Sequence, residues 1–289
     1  MKRILIPVFI AAIGMVTAIV CAGTDPLFMT STGIGPSTAA YQQFNEIITG
    51  DWQQYGQLFT SLQAYLFSRL FLLVVTFMPV IFFFHYIAIG PKKFDHRGKR
   101  IYYFSIFNRI IHWLAAFSFS LLVITGLLVI LGKILGGGAI IRNGRSLHIL
   151  SAIVFTISAV PMLLMWLKNM LPALYDIRWL FIMGGYLNTK KKPIPAGKFN
   201  AGQKMWFWLA TMGGFVMAYT GYFLWGLQAP VDDLRLMAII HNFLGAALVA
   251  LFLVHLYMSL FAITGSLGSM INGYKPKEEV DILHSRYKT

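Results

Sequence analysis

Five long stretches without charge constrain this chain more than any other feature of its sequence. No Asp, Glu, Lys or Arg occurs between Arg69 and Lys92, Arg109 and Lys133, Arg145 and Lys168, Lys204 and Asp232, or Arg235 and Lys275. Each stretch exceeds the roughly 20 residues that a helix needs to cross about 30 Å of hydrocarbon. Because lipid offers no hydrogen bonds to the backbone, each stretch is expected to be helical. The sequence therefore predicts an all-α integral membrane protein, a bundle of about five transmembrane helices.

The composition supports a membrane protein and excludes several other classes. Hydrophobic residues make up 57% of the chain and charged residues only 12%, a balance too apolar for a soluble core. The net charge of +14 lies in loops beside the uncharged stretches, which indicates membrane topology rather than nucleic-acid binding. The only cysteine, Cys21, excludes a disulfide framework, a Cys-ligated iron–sulfur cluster and the covalent attachment of c-type haem.

The hydropathy divides the chain into segments. Residues 1–23 begin with two basic residues and continue as an apolar run, which is typical of a signal peptide or of an uncleaved membrane anchor. Residues 24–62 contain no Lys or Arg and are expected to form an extracytoplasmic N-terminal segment. The predicted spans cover residues 65–89, 109–132, 147–168, 205–227 and 238–263, and the first belongs to an additional helix at 63–90. Residues 276–289 are predicted to form a cytoplasmic tail.

The basic residues also predict the orientation of the spans. The loops 90–109 and 168–204 and the tail from residue 264 hold seventeen Lys and Arg, whereas the loops 133–147 and 228–237 hold four. Basic residues accumulate on the cytoplasmic side of a membrane. We therefore expect a multi-pass protein of the bacterial inner membrane, with its mature N-terminus outside and its C-terminus in the cytoplasm.

The histidines provide the candidate functional residues. Two of the seven, His96 and His284, lie in charged segments and are expected to be solvated. The other five lie within or at the edge of predicted spans: His85, His112, His148, His241 and His255. A polar, ionisable side chain at membrane depth is costly without a partner, so each of these five is a candidate for a functional site.

The depths of four histidines predict two pairs. His241 and His255 are fourteen residues apart on the last span, which separates them by about 21 Å and leaves them near one face of the helix. His148 begins the third span at the predicted outer side, and His112 begins the second span at the inner side. We therefore expect His148 to pair with His241, and His112 to pair with His255. His85, near the inner end of the first span, is the rival for the inner position.

Two imidazoles at each depth predict two b-type haems. Imidazole binds haem iron well, and two axial imidazoles leave no open coordination position, which favours electron transfer. Zinc would require a tetrahedral cluster at one depth, which two ligands do not supply. Three glycines, Gly126, Gly221 and Gly245, could admit a flat macrocycle or simply allow close helix packing, and packing is the favoured interpretation.

Five short segments resemble the gamma, cytochrome b, subunit of membrane-bound respiratory formate dehydrogenase. They are NRIIHW at 108–113, RSLH at 145–148, KFNAGQKM at 198–205, HNFLG at 241–245 and HLYMSLF at 255–261. The resemblance covers residues 100–275, where it implies a four-helix di-haem cytochrome b domain with the four histidines as axial ligands and iron ligands. The additional first helix has no counterpart in the shortest members of that family.

The resemblance also implies partners and a direction of electron flow. A molybdenum or tungsten alpha subunit would oxidise formate outside the membrane, and an iron–sulfur beta subunit would pass the electrons to the outer haem. Menaquinone or ubiquinone would be reduced beside the inner haem, at a site formed by Asn200, Ala201, Gly202, Gln203 and His255. In this interpretation the chain anchors the complex in membrane lipid, and no residue of it acts on formate. Two alternatives remain open: the cytochrome b subunit of a nickel–iron hydrogenase, and a haem-free membrane anchor.

Overall fold

The computed structural model describes residues 55–227 and 229–288, so the predicted signal peptide or anchor at 1–23 and most of the segment 24–62 lie outside the described residues. The helices are α1 (Gln57–Ala88), α2 (Ile106–Ile130), α3 (Ala139–Met170), α4 (Leu174–Phe181), α5 (Ala201–Trp208), α6 (Gly214–Gly226), α7 (Val231–Ala262), α8 (Gly268–Asn272) and α9 (Lys277–Leu283). Two short strands, β1 (Arg100–Tyr102) and β2 (Tyr274–Pro276), accompany them.

The prediction of a helical membrane bundle is confirmed. Within the described residues, four helices are long and apolar enough to cross a membrane, namely α1, α2, α3 and α7. The predicted span 205–227 falls on α5, a π-helical turn at Leu209–Gly213, and α6, which follow one another without a break. This segment is not among the four, because its tryptophans, tyrosines and glycines make it less apolar. That it crosses the membrane remains a prediction.

The surface of α1 shows where lipid contacts the bundle. Leu73, Phe77, Phe84 and Ile87 are 57–64% exposed, and their spacing places them along one side of the helix. A continuous apolar stripe of this kind on a water-soluble protein would promote association. On a helix long and apolar enough to cross a membrane, such a stripe is suited to contact with hydrocarbon. The helix begins at Gln57, so residues predicted to belong to the preceding segment already form part of α1.

Local sequence explains where the long helices begin. At α2, the Ser105 hydroxyl accepts a hydrogen bond from the Asn108 backbone N–H (3.2 Å), and the Asn108 side-chain oxygen accepts one from the Ser105 N–H (3.3 Å). This capping box satisfies two N–H groups that the helix leaves unpaired. Gly138 precedes α3 with a φ of 80°, which few other residues adopt. Asp232 and Asp233 lie in the first turn of α7, where negative charge stabilises the helix dipole.

The long helices pack around a core of aromatic side chains. α2 and α3 form an antiparallel hairpin, and α7 packs against both α1 and α6. The Phe119 ring lies 5.2 Å from the Phe155 ring and 5.1 Å from the Phe252 ring, so this residue joins α2, α3 and α7. The Phe71 ring of α1 lies against α7 at Gly245, where a Cβ would be 3.4 Å from the ring. Close packing is therefore the role of Gly245.

The C-terminal segment folds back on the bundle instead of extending as a tail. β2 pairs antiparallel with β1, and α9 follows directly. As a result, the expectation that His284 is solvated is wrong. Its side chain is 2% exposed, and its Nδ1 lies 2.9 Å from the Gly197 carbonyl oxygen. His96 is half-buried, with Nε2 3.0 Å from the Thr264 carbonyl oxygen.

The burial of His284 predicts that acid loosens the C-terminal segment. Burial and the nearby positive charge of Lys275 lower the pKa of His284 to about 3, against a smaller opposite effect of the hydrogen bond to Gly197. An unfolded histidine titrates at about pH 6.5, so below that pH the unfolded segment binds a proton that the folded segment excludes. The packing is fully stable above about pH 6.5 and loses about 2 kcal/mol by about pH 5.

Amide hydrogen exchange of residues 274–287, corrected for intrinsic rates, measures this loss. His284→Gln is the matched control, because it keeps a hydrogen-bonding side chain without a group that titrates in this range. We expect the variant to show the same protection at about pH 5 as above about pH 6.5. Equal protection of the wild-type segment at both would contradict the assignment.

Candidate haem-binding sites

The structure brings together the four histidines in the two predicted pairs. The rings of His112 on α2 and His255 on α7 have centroids 6.3 Å apart. The rings of His148 on α3 and His241 on α7 have centroids 6.4 Å apart. Because His241 and His255 are fourteen residues apart on one helix, the pairs lie near its opposite ends, about 21 Å from each other along the axis.

The spacing within each pair suits one metal ion between two imidazoles. A metal bound to one nitrogen of each ring would place the centroids about 6 Å apart, because each metal–nitrogen bond is about 2 Å and each ring centre lies about 1 Å behind its nitrogen. Among the described residues, no group of three or more His, Cys, Asp or Glu side chains could hold a metal. Side chains of these types therefore do not complete a metal site at either pair, whereas the four nitrogens of a porphyrin would supply the remaining ligands. The residues fit haem.

Each histidine of the His148–His241 pair lies beside a threonine and a glycine of a neighbouring helix. The Thr125 hydroxyl of α2 lies 2.9 Å from His148 Nδ1, and the Thr220 hydroxyl of α6 lies 2.8 Å from His241 Nδ1. Each threonine is followed by a glycine. A Cβ at Gly126 would lie 3.4 Å from His148 Cε1, and one at Gly221 would lie 3.4 Å from His241 Cε1. These two glycines therefore make room for the histidine rings, which corrects the expectation that they serve helix packing alone.

The His112–His255 pair has different surroundings. Trp206 of α5 stacks on the His255 ring, with centroids 5.5 Å apart and planes 20° from parallel. His112 is half-buried, and its buried Nδ1 has no hydrogen-bond partner within the described part of the chain. A buried polar atom without a partner is costly, which is consistent with a site completed by a ligand.

His85, the rival candidate, has both ring nitrogens engaged elsewhere. Its Nδ1 lies 2.5 Å from the Tyr257 hydroxyl, and its Nε2 lies 2.9 Å from the Tyr186 carbonyl oxygen. A carbonyl can only accept, so Nε2 carries the proton and Nδ1 accepts from the tyrosine hydroxyl. This leaves no nitrogen lone pair for iron. His85 instead ties α1 to α7 at the end of the bundle that holds the His112–His255 pair.

The predicted quinone residues form the start of α5. The Asn200 side-chain oxygen accepts from the Gln203 backbone N–H (2.9 Å), and the Gln203 side-chain oxygen accepts from the Asn200 N–H (3.0 Å). This capping box uses the amide oxygens and leaves the two NH₂ groups outside it. One helical turn further, Trp206 stacks on His255. The turn is therefore connected through one side chain to the nearest histidine pair.

The position of this turn is fixed from the side of α4. A Cβ at Gly202 would lie 2.9 Å from the Trp179 ring, so only glycine fits there without movement of the indole. Lys204 forms a buried ion pair with Asp176, at 2.7 Å. Ala201 is 3% exposed and belongs to the same buried cluster as the tryptophan. These contacts hold the backbone of the turn against α4.

Three residues at the sites were not anticipated from the sequence. Thr125 and Thr220 contact the histidines, and Trp206 stacks on one of them. The sequence did contain a signal for the threonines, because the dipeptide Thr-Gly occurs on two predicted spans and ends in two of the three glycines that were singled out. The stacking of Trp206 depends on how α5 is rotated against α7, which no local pattern encodes.

Comparison with known proteins places this chain in a family. Residues 103–273, more than half of the chain, match the family described as prokaryotic cytochrome b561. The nitrate-inducible formate dehydrogenase cytochrome b556(Fdn) subunit of Escherichia coli is 28% identical over 202 residues, which cover 66% of this chain and 91% of that protein. The formate dehydrogenase cytochrome b556 subunit of Haemophilus influenzae is 27% identical over 57% of this chain and 73% of its own length. The chain belongs to the prokaryotic cytochrome b561 family.

Proposed function

We propose that this chain is the di-haem cytochrome b subunit of a formate dehydrogenase complex, which it anchors in the membrane. His148 and His241 hold the outer haem b, and His112 and His255 hold the inner one. Electrons from an iron–sulfur subunit enter at the outer pair and leave to quinone at the inner, cytoplasmic pair. The observation that carries the proposal is the presence of one histidine pair near each end of α7, each with its rings just over 6 Å apart.

Two fixed imidazoles at each site favour electron transfer over chemistry on a bound substrate. A haem b with two histidine ligands supplies reversible one-electron transfer and has no open position for oxygen. The contribution of the protein is to hold each pair of rings at a fixed separation and to keep them away from water. Because the two sites share α7, their separation along the membrane normal is set by a single rigid element.

The orientation rests on the distribution of Lys and Arg. The loops at the His112–His255 end carry most of the basic residues, which supports a cytoplasmic location for that end. Quinone reduced there takes its protons from the cytoplasm while electrons arrive from outside. The negative charge that crosses inward then makes the overall reaction contribute to the proton motive force.

The start of α5 supports the quinone site proposed beside the inner pair. A quinone oxygen accepts hydrogen bonds, and the NH₂ groups of Asn200 and Gln203 remain outside the capping box as donors. Gly202, between them, lets the Trp179 indole lie against the backbone of the turn, which holds the two donors in place. Trp206 lies between this turn and His255. The proposed quinone site therefore lies beside the inner haem site, and the turn belongs to the quinone site alone.

The names of the relatives supply the choice of complex. Three formate dehydrogenase cytochrome subunits, two from Escherichia coli and one from Haemophilus influenzae, match 57–66% of this chain. The test is to purify the chain with its native partners and record reduced-minus-oxidised spectra after addition of formate or of hydrogen. Reduction of two b-type haems by formate supports the proposal. Reduction by hydrogen alone would favour a hydrogenase subunit, and an absence of haem would favour a plain membrane anchor.

The histidine pairing gives a direct prediction. His148→Ala and His241→Ala should each abolish the same spectral component, because each removes one axial ligand of a shared iron. His112→Ala and His255→Ala should each abolish the other component. His85→Ala is the matched control, since it removes a membrane histidine whose nitrogens are already bonded, and it should retain both haems. Loss of the same component in His112→Ala and His148→Ala would refute the pairing.

The quinone site gives a second prediction, measured as haem reoxidation by quinone in a stopped-flow experiment on the assembled complex. Asn200→Ser keeps an oxygen that caps α5 but removes the NH₂ donor. Gln203→Glu likewise keeps the capping oxygen and removes the donor. Loss of a hydrogen bond worth about 1 to 3 kcal/mol should slow reoxidation about fivefold to about a hundredfold, while formate still reduces both haems.

Gly202→Val tests the same turn by changing the position of its backbone and leaving both donors in place. Its branched side chain would meet the Trp179 ring and displace the backbone, so we expect slower reoxidation than in either donor variant. Wild-type reoxidation rates in all three variants would exclude this turn from the quinone site.

A further inference from the structure

The threonines beside the His148–His241 pair act as hydrogen-bond acceptors. The Thr125 hydroxyl lies 2.6 Å from the Leu121 carbonyl oxygen, and the Thr220 hydroxyl lies 2.9 Å from the Val216 carbonyl oxygen. A carbonyl oxygen cannot donate, so each hydroxyl uses its only hydrogen within its own helix. The oxygen lone pairs that remain can only accept from the histidine.

This arrangement fixes the tautomer of both histidines. If each threonine accepts, then Nδ1 of His148 and of His241 carries the proton and Nε2 keeps its lone pair. The adjoining glycines hold the rings against the backbone of α2 and α6, since a Cβ at either position would lie 3.4 Å from a ring carbon. Both rings are thereby held as ligands with one free nitrogen each, before any metal binds.

The same hydrogen bonds act on the iron electronically. An acceptor on the far nitrogen of a metal-bound imidazole makes the ring a more basic ligand. A more basic ligand stabilises ferric iron more than ferrous iron and lowers the midpoint potential. The inner pair differs, because within the described residues His112 Nδ1 is buried and lacks a partner. The threonines therefore distinguish the two sites chemically.

We infer that Thr125 and Thr220 are positioning residues that orient His148 and His241 and lower the midpoint potential of the haem these histidines hold. The inference rests on the proposed function, because it requires a haem at this pair. A lower potential at the site where electrons enter favours their onward transfer to the site beside the quinone. The two hydroxyls thus help set the direction of electron flow through this chain.

Redox titration of the complex tests this inference, with each haem followed by its absorption band and by the electron paramagnetic resonance signal of its ferric form. Thr125→Val and Thr220→Val keep the side-chain shape and remove the acceptor. We expect each to shift the ferric–ferrous equilibrium of the outer haem about three- to tenfold towards ferrous, an upward shift of about 30 to 60 mV at about 59 mV per tenfold. The inner haem should not change.

The chain offers a matched control in Thr211. This threonine is fully buried, and its hydroxyl donates to the Phe207 carbonyl oxygen (2.7 Å), four residues earlier in the same helical run. Thr125 and Thr220 likewise bond to the carbonyl four residues before them. Thr211→Val removes the same helix-internal hydrogen bond without removing a contact to histidine. We expect both haem potentials to stay at their wild-type values in this variant.

Serine at the same positions separates the effect of the hydroxyl from the effect of side-chain shape, because it keeps the hydroxyl and removes the methyl group. Thr125→Ser and Thr220→Ser should retain the outer haem at its wild-type potential, including in the case that a valine variant loses the haem altogether. Loss of the haem in the serine variants as well would overturn the inference, and so would unchanged potentials in both valine variants. A wild-type complex without haem would instead refute the proposed function itself.

Discussion

An imidazole among hydrocarbon side chains is stable only when its nitrogens have partners, and this constraint organises the whole bundle. Within the described residues, three of the membrane histidines have hydrogen-bond partners for one or both nitrogens. His148 and His241 each bond through Nδ1 to a threonine, and their rings lie 6.4 Å apart. His85 gives both nitrogens to protein groups, which removes it from metal binding. The hydrogen-bond partners of the ring nitrogens therefore distinguish His85 from the candidate haem ligands more sharply than depth in the membrane does.

Much of this arrangement could be predicted from the sequence, because a membrane reduces the problem to depth and helix rotation. Fourteen residues on one helix fix both the separation and the shared face of His241 and His255. What could not be predicted depends on how separate elements meet. The stacking of Trp206 on His255 requires the rotation of α5, and the burial of His284 requires the C-terminal strand to pair with residues 100–102.

The first helix illustrates how an added element joins an established core. The family match begins at residue 103, after α1 has ended at Ala88. α1 nevertheless packs on α7 through Phe71 and bonds to it through His85, while its opposite side carries the exposed apolar stripe. The helix therefore covers one side of α7 with protein, and it contributes no residue to either histidine pair.

On the proposed assignment of the haem ligands, the placement of two histidines on α7 also determines when this protein can acquire its cofactors. His148 and His241 lie inside the interval from His112 to His255, so the two pairs are nested along the chain and the last span completes both. Ribosome and insertion machinery deliver that span after all the others. Neither site exists on a chain that lacks it, and both arise together once it packs against α2 and α3. On the same assignment, truncation between α3 and α7 would leave three candidate spans and neither of the two proposed haem sites.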